Sequence, residues 1–284
     1  MDQGEIALSD REFARIKARV YKVAGISLSD AKRTLVVARL AKIVRTQKFG
    51  SFDAYMDHLE DKGTSDDAQE FVNALTTNLT RFWREDHHFD HLNQYVGELI
   101  QGQRSTGSPK RLRIWSAGCS TGQEPFTIAL SVLAAWPELK SWDFRILATD
   151  IDTNVVQRAS TGIYPANELN GLSAERSRLF EHLPDGRIKI PAAAVSLITF
   201  KPLNLLGALP MKGPFDAIFC RNVAIYFDKP TQAEVFGKLI KLLAPGGMLY
   251  IGHSENLGAL ASAFRLMGKT TYRAKTEKMT RSAA

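Results

Sequence analysis

Arg113-Ile-Trp-Ser-Ala-Gly-Cys-Ser-Thr-Gly-Gln-Glu-Pro-Phe126 is the stretch on which the reading of the fold turns. Leu112 to Ser116 reads as a buried strand, Ala117 to Gly122 as a tight small-residue turn, and a helix is predicted from about Glu124. Strand, glycine turn and helix in succession is how an α/β sheet builds a cofactor site, with the unpaired N–H groups of the helix start beside the ligand. Only Gly118 and Gly122 are glycines in the turn, so the G-x-G-x-x-G dinucleotide fingerprint is absent and a pyrophosphate is disfavoured. A nucleoside without phosphates, such as S-adenosylmethionine, fits the spacing better. A purely structural turn remains an alternative at this point.

Downstream, strands and helices alternate. Trp142 to Ala148 is the second predicted strand and runs into Thr149-Asp150-Ile151-Asp152. Asp150 lies about 30 residues past the glycine turn, where an acid can accept hydrogen bonds from ribose hydroxyls. Asp152 reads instead as the cap of a helix that starts at Thr153. Leu197 to Phe200 leads to Asn204-Leu205, and Phe215 to Cys220 leads to Arg221-Asn222. Thr231 to Leu243 is a predicted helix, Ala244-Pro-Gly-Gly247 a turn, and Met248 to Gly252 a fifth strand. Phe264 to Met267 and Thr270 to Arg273 are expected to form an antiparallel edge hairpin. Residues 161 to about 196 interrupt the alternation, and the turn Pro184-Asp-Gly-Arg187 before Ile188 and Ile190 suggests a small hairpin inserted on the core. In mostly parallel sheets ligands sit at the carboxyl ends of strands. Gly118, Asp150, Asn204, Arg221 and Asn222 all fall at such ends, and that convergence is the evidence for a site.

Residues 1–76 read as all-helical. Ser9-Asp10-Arg11-Glu12 starts a helix carrying Phe13, Ile16, Val20 and Val23, and Gly25 ends it. A second helix is predicted from Ala31 to about Gln47, a third around Phe52 to Leu59, and a fourth from Asp66 to Leu75. Lys32, Arg39, Lys42 and Arg45 fall on a stripe roughly 140° wide, either an ordinary solvated face or a docking face for an acidic partner. Residues 77–111 read as a linker. Its basic and aromatic residues Arg81, Phe82, Trp83 and Arg84 suit a helix corner, a plain connection or a nucleic-acid stacking patch. His87, His88 and His91 lack metal-ligand spacing, so no metal is expected. Phe89 to Ile100 continues as an amphipathic helix, and Gln101 to Lys110 reads as a surface loop.

The 284 residues allow one large domain or two ordinary ones. A net charge of +7 favours acidic partners without choosing among them. Cys119 and Cys220 are too few for a disulfide framework and suit a reduced cytoplasmic protein. Met1 to Glu5 does not read as a leader, and the longest apolar run, Ile128 to Trp136, is too short for a bilayer, so no membrane insertion is expected.

Five segments, in order, resemble the CheR-type chemotaxis receptor methyltransferases. They are Asn73-Ala-Leu-Thr-Thr-Asn-Leu-Thr80, Trp115 to Pro125, Ala148-Thr-Asp-Ile-Asp152, Phe215 to Val223 with Ile225-Tyr-Phe-Asp228, and Gly252-His-Ser-Glu-Asn256. The resemblance implies a class I S-adenosylmethionine-dependent methyltransferase, a Rossmann-like doubly wound α/β sheet with an antiparallel edge hairpin. It implies an all-helical N-terminal domain (1–76), a linker contributing to the cofactor site (77–111) and a methyltransferase domain (112–284) with a small β-subdomain near 161–196. The cofactor would be S-adenosylmethionine, yielding S-adenosylhomocysteine, and the substrate glutamate side chains on the cytoplasmic helices of chemoreceptors. Cofactor contacts carry over to Asn78, Thr80, Arg84, Gly118, Glu124, Asp150, Asn204, Leu205, Arg221 and Asn222, and Arg84 and Tyr226 become the catalytic pair. The helical domain would dock the receptor. The Leu183-Pro-Asp-Gly-Arg187 loop is shorter than the family's and lacks its glycine-rich segment, so a member that acts without a receptor-tail pentapeptide is expected, and a monomer is expected as well. A nucleic-acid methyltransferase is the main rival. Methylation of base amino groups usually uses an Asn/Asp-Pro-Pro-aromatic segment after the fourth strand, where this chain has Cys220-Arg-Asn-Val223, so no nucleic-acid partner is expected. A binding module that only senses the cofactor is disfavoured by the intact Arg84, Glu124 and Asp150, and a nicotinamide dehydrogenase fails on the glycine spacing.

Overall fold

A computed structural model describes residues 6–107 and 109–275. Met1 to Glu5, read above as no leader, lies outside them. Four helices come first: α1 (Asp10–Ala24), α2 (Arg33–Thr46), α3 (Phe52–Asp61) and α4 (Ser65–Leu75). Their boundaries follow local chemistry. Ser9 and Glu12 form a reciprocal capping box on α1, and Thr64 and Asp67 another on α4. Apolar faces of all four helices, from Phe13 and Ile16 to Phe71 and Leu75, close around a core of their own.

A long helix, α5 (His87–Thr106), follows. The loop expected from Gln101 is therefore helical to Thr106. The hydroxyls of Ser105 and Thr106 donate to the Gly102 carbonyl, and the helix stops only at Gly107. A single exposed glycine costs a helix about 1 kcal/mol, too little to end one that is anchored at Ile100.

The remaining elements are β1 (Arg111–Ala117), α6 (Gln123–Ala135), β2 (Asp143–Asp150), α7 (Thr153–Ser160), β3 (Ile163–Pro165), α8 (Ala174–Ser177), β4 (Glu181–His182), β5 (Arg187–Lys189), α9 (Ala192–Val195), β6 (Ile198–Pro202), β7 (Phe215–Cys220), α10 (Lys229–Ile240), β8 (Leu243–Ile251), β9 (Phe264–Gly268) and β10 (Thr271–Ala274). Seven strands make one sheet in the order β6-β2-β1-β7-β8-β10-β9, parallel from β6 to β8 and antiparallel through β10 and β9. The edge hairpin is thus present. The inserted subdomain is a three-stranded sheet, β3-β5-β4, so a third strand at Ile163–Pro165 joins the expected hairpin. The Pro245-Gly246-Gly247 segment, read as a turn before the fifth strand, is an irregularity inside β8, which pairs with Phe215 from Leu243 onward. The helix before it accordingly ends at Ile240, short of the expected Leu243.

Alternation sorts the strand residues onto two faces. Ala217 and Phe219 of β7 join α5 and α6 in one core, while Ile218 and Cys220 join α10 in the other. The chain runs from β1 outward to β2 and β6, then returns to β7 on the other side of β1. The β1/β7 boundary is the switch point, where loops leave in opposite directions and open a crevice.

Candidate active site

One cavity of about 320 Å³ sits over that crevice. All eleven residues singled out from the sequence, from Asn78 to Tyr226, line it, and Ala24 and Ile26 of the helical region close one side. The floor is the turn after β1. Gly118 has φ +90°, and a Cβ there would lie 2.2 Å from Val223 Cγ2, so the two loops at the switch point meet only because this residue has no side chain. Gly118 and Cys119 N–H groups both donate to the Thr149 carbonyl, which ties this turn to β2.

Asp150 ends β2 facing that turn. Its carboxylate accepts from the backbone N–H groups of Ser120 (2.8 Å) and Asp152 (3.0 Å). Burial pushes its pKa up against those two bonds. Asp152 caps α7 as expected, and its second oxygen accepts from the Asn78 amide at 2.7 Å and the Thr76 hydroxyl at 2.7 Å. Asn78 thus lines the cavity with its amide committed to Asp152. Asn204 is similar, its amide donating to the Val23 carbonyl at the end of α1 (2.7 Å).

The deepest charges are on the other side. Glu124, in the first turn of α6, accepts from the Ser116 hydroxyl (2.7 Å) and from Arg221 Nη1 (3.0 Å). Burial raises its pKa and Arg221 opposes the rise. Arg221 also donates to the Arg84 carbonyl and lies 3.3 Å from Glu85, which in turn is 3.1 Å from His253 Nδ1. His88 packs beside this chain of charges, and burial pushes its imidazole down to about 3, so it is a neutral neighbour.

A strap, residues 76–80, roofs the cavity. Arg39 of α2 donates to the Thr76 carbonyl and the Thr77 hydroxyl, so this member of the basic stripe turns inward, while Lys32, Lys42 and Arg45 are exposed. The Ser120 hydroxyl donates to the Asn78 carbonyl (3.0 Å), and Arg84 Nη1 donates to the Leu79 carbonyl (2.8 Å). Arg84 itself sits between two left-handed residues, Trp83 (φ +51°) and Glu85 (φ +56°), conformations that bulky side chains rarely adopt and that the Arg221 contacts hold in place. Tyr226 faces the strap from the far wall, its hydroxyl 3.4 Å from the Thr77 carbonyl.

Two acids that the sequence reading left without a role organise these walls. Glu85 is one. Glu255 is the other: its carboxylate accepts from the N–H groups of Gly252 (2.5 Å), Asn222 (3.0 Å), Val223 (2.9 Å) and Ile225 (3.3 Å), and so fixes the loop carrying Asn222 and Tyr226. Glu255 lies inside the segment Gly252-His-Ser-Glu-Asn256, and an acid just past a strand end is the signal that could have found it.

Comparison with known proteins agrees along the chain. The all-alpha domain of the CheR methyltransferases matches residues 11–76, and the SAM binding domain of the same family matches residues 78–273. A probable chemotaxis protein methyltransferase of Rhizobium etli is 44% identical over 270 residues, covering 93% of this chain and 100% of that protein. The chemotaxis protein methyltransferase of Escherichia coli is 40% identical over 278 residues, covering 94% and 92%. That of Borreliella burgdorferi is 35% identical over 256 residues, covering 89% and 90%. With both halves matched and the identities this high over nearly the full length, the chain belongs to the CheR methyltransferase family.

Proposed function

We propose that this protein transfers the methyl group of S-adenosylmethionine to glutamate carboxylates of chemoreceptors, leaving glutamate methyl esters and S-adenosylhomocysteine, as the adaptation step of chemotaxis. The observation that carries the reading is the family match across both domains, joined to a single cavity lined by every residue the motifs marked. The donor set suits the cofactor. Two buried acids flank the turn, Asp150 for the ribose hydroxyls and Glu124 for the methionine ammonium, and Gly118 lets that turn close against Val223 of the facing loop. The volume lies at the lower end of the range of about 300–1,000 Å³ for small-molecule sites.

S-adenosylmethionine supplies an electrophilic methyl on a cationic sulfur, and the attacking carboxylate oxygen displaces that sulfur in line, so no proton moves. The target glutamate is already ionised near pH 7, and the chain needs no general base. Its task is alignment, which can contribute roughly 7–11 kcal/mol. Arg84 holds the incoming carboxylate. Its bond to Leu79 uses one of five guanidinium N–H donors, and the others remain available for a bidentate grip. Tyr226 stands on the opposite wall as a neighbour of the transferred methyl.

The helical domain, with Lys32, Lys42 and Arg45 exposed, docks the acidic face of the receptor. The β4–β5 connection is a short turn closed by the Gly186 N–H donating to the Leu183 carbonyl (3.1 Å), which favours action without a pentapeptide tether. No helix among the described residues is long and apolar enough to cross a membrane, and the receptor helices it serves place it in the cytoplasm.

The test is methyl transfer from labelled S-adenosylmethionine to receptor-containing membranes, with Arg84→Ala as the control. The wild type is expected to form base-labile methyl esters on glutamate, and Arg84→Ala to lose at least about a hundredfold in rate, as loss of a charged contact of ~3 kcal/mol implies. Absence of labelled esters with any receptor refutes the function, and a wild-type rate in Arg84→Ala removes that residue from the mechanism. Calorimetry with a receptor-tail pentapeptide is expected to give no binding.

A further inference from the structure

Four large apolar side chains are exposed among the described residues: Leu79, Leu266, Ile225 and Tyr21. Scattered exposure of this kind is ordinary. Leu79 and Ile225 are different because both line the cavity while standing exposed at 82% and 44%, one on the strap and one on the loop after β7. Neither is free to fold down. Leu79 lies on the strap whose carbonyls at Thr76, Asn78 and Leu79 are held by Arg39, Ser120 and Arg84. Ile225 lies on the loop pinned through its own N–H by Glu255. A naked leucine on a fixed backbone, one bond from the guanidinium that faces the substrate, is apolar surface whose burial awaits a partner.

We propose that Leu79 and Ile225 form an apolar clasp that grips the substrate helix beside its target glutamate, taking apolar side chains one helical turn away. The proposal rests on the methyl-transfer reading above and adds the rule by which a glutamate is chosen. Residues three and four positions from a helical glutamate share its face. When that glutamate enters the cavity towards Arg84, those neighbours meet the rim, where the two apolar side chains stand. The exposed Arg81 on the same rim complements the acidic character of a glutamate-bearing helix. A glutamate whose helical neighbours are charged or strongly polar leaves Leu79 and Ile225 wet and is a poor substrate.

The experiment uses the full chain, tritiated S-adenosylmethionine and membranes carrying a methyl-accepting chemoreceptor. Leu79→Ser and Ile225→Ser are compared with wild type and with Leu79→Met. Leu79→Ser is expected to raise KM for receptor roughly tenfold, about 1.4 kcal/mol, with cofactor affinity by calorimetry within about twofold, a change too small to register on that scale. Leu79→Met, still apolar, is expected to restore most of the loss. A receptor whose apolar residues one turn either side of a methylated glutamate are changed to serine is expected to show the raised KM with wild-type enzyme and no further rise with Leu79→Ser. Equal KM for wild type and Leu79→Ser on the unmodified receptor overturns the clasp. So does a dimer in sedimentation that Leu79→Ser abolishes, because the patch then serves self-association. Failure of the wild type to methylate any receptor sinks the functional reading instead, before the clasp is reached.

Discussion

Asp150→Asn is a stringent test of the cofactor site because the structure fixes both of its effects. Each carboxylate oxygen already accepts one backbone N–H, from Ser120 at 2.8 Å and from Asp152 at 3.0 Å. A carboxylate offers roughly four lone-pair positions, so about two remain for a ribose diol. Asparagine keeps one oxygen and presents an NH₂ in place of the other. One of the two buried N–H groups then faces a donor, an arrangement that costs about 1–3 kcal/mol. The charge works the other way: burial pushes the Asp150 carboxyl pKa up, so ionisation is disfavoured there and a neutral amide relieves that part. The net loss of stability therefore belongs at the low end, about 1 kcal/mol. For the cofactor nothing offsets the loss. Hydrogen bonds to a charged group contribute about 1.5–3 kcal/mol, which corresponds to a Kd raised roughly 10–150-fold. Calorimetry with S-adenosylmethionine reads the second effect, and urea unfolding without cofactor reads the first. A Kd within about twofold of wild type in a folded variant, far below one 1.4 kcal/mol step, means that the carboxylate serves only the two backbone N–H groups and that the ribose lies elsewhere.

Gly118→Ala combines a left-handed φ of +90° with a Cβ 2.2 Å from Val223 Cγ2; the φ alone costs about 1–2 kcal/mol. Cofactor affinity and unfolding midpoint are both expected to fall, and adding Val223→Ala is expected to recover the contact part only, so full recovery would show the φ to be unstrained. Glu255→Gln puts an NH₂ among four backbone N–H groups and is expected to lower kcat through Tyr226 and stability by about 1–3 kcal/mol; unchanged kinetics with lowered stability would make Glu255 purely structural. Glu12 shows a pH effect. Burial raises its pKa, the bonds from Ser9 and the Asp53 N–H more than offset this, and the net value lies below the ordinary one. Its contribution is therefore complete above the unfolded value of about 4.3 and is lost as pH falls through the folded value. Glu12→Gln is expected to flatten the acid limb of the unfolding curve, and an unaltered limb excludes this carboxylate.

The sheet was legible because a buried strand has to be apolar whatever surrounds it. Leu112 to Ser116 and Phe215 to Cys220 could be read from their own residues, and each brought a polar strand end to the same edge. The short strand Ile163–Pro165 was not legible, since three residues carry no period and it exists only by pairing with β5. The end of α5 was misjudged because Gly102 and Ser105 look like loop residues until the Gly102 carbonyl is seen to accept both hydroxyls. At the site, which residues gather at the cavity was readable, but the fate of each polar group was not. Asn78, Asn204 and Arg39 each turn their donors to an oxygen between 37 and 181 positions away in sequence, and a partner that distant leaves no local mark.

Those long-range bonds give the two domains a common frame. The end of α1 offers the Val23 carbonyl to Asn204, the Ser27 N–H donates to the Tyr226 carbonyl at 2.8 Å, and Tyr21 donates to Asp228 at 2.8 Å. Gly25 sits between these bonds with φ +68°, where a Cβ would lie 2.8 Å from Leu206. On the other side Gln69 donates to the Ile151 carbonyl at 2.8 Å and Asn73 to Thr153 at 2.9 Å. The helical domain is thus bonded to the loops after β2, β6 and β7, each of which carries a proposed cofactor residue, and Ala24 and Ile26 form part of the cavity wall. A receptor helix docked on that domain, as proposed above, would be held at a fixed angle to Arg84 and Tyr226. Binding energy gathered at a distance would then go into alignment, the one contribution that a carboxylate nucleophile needing no base still requires.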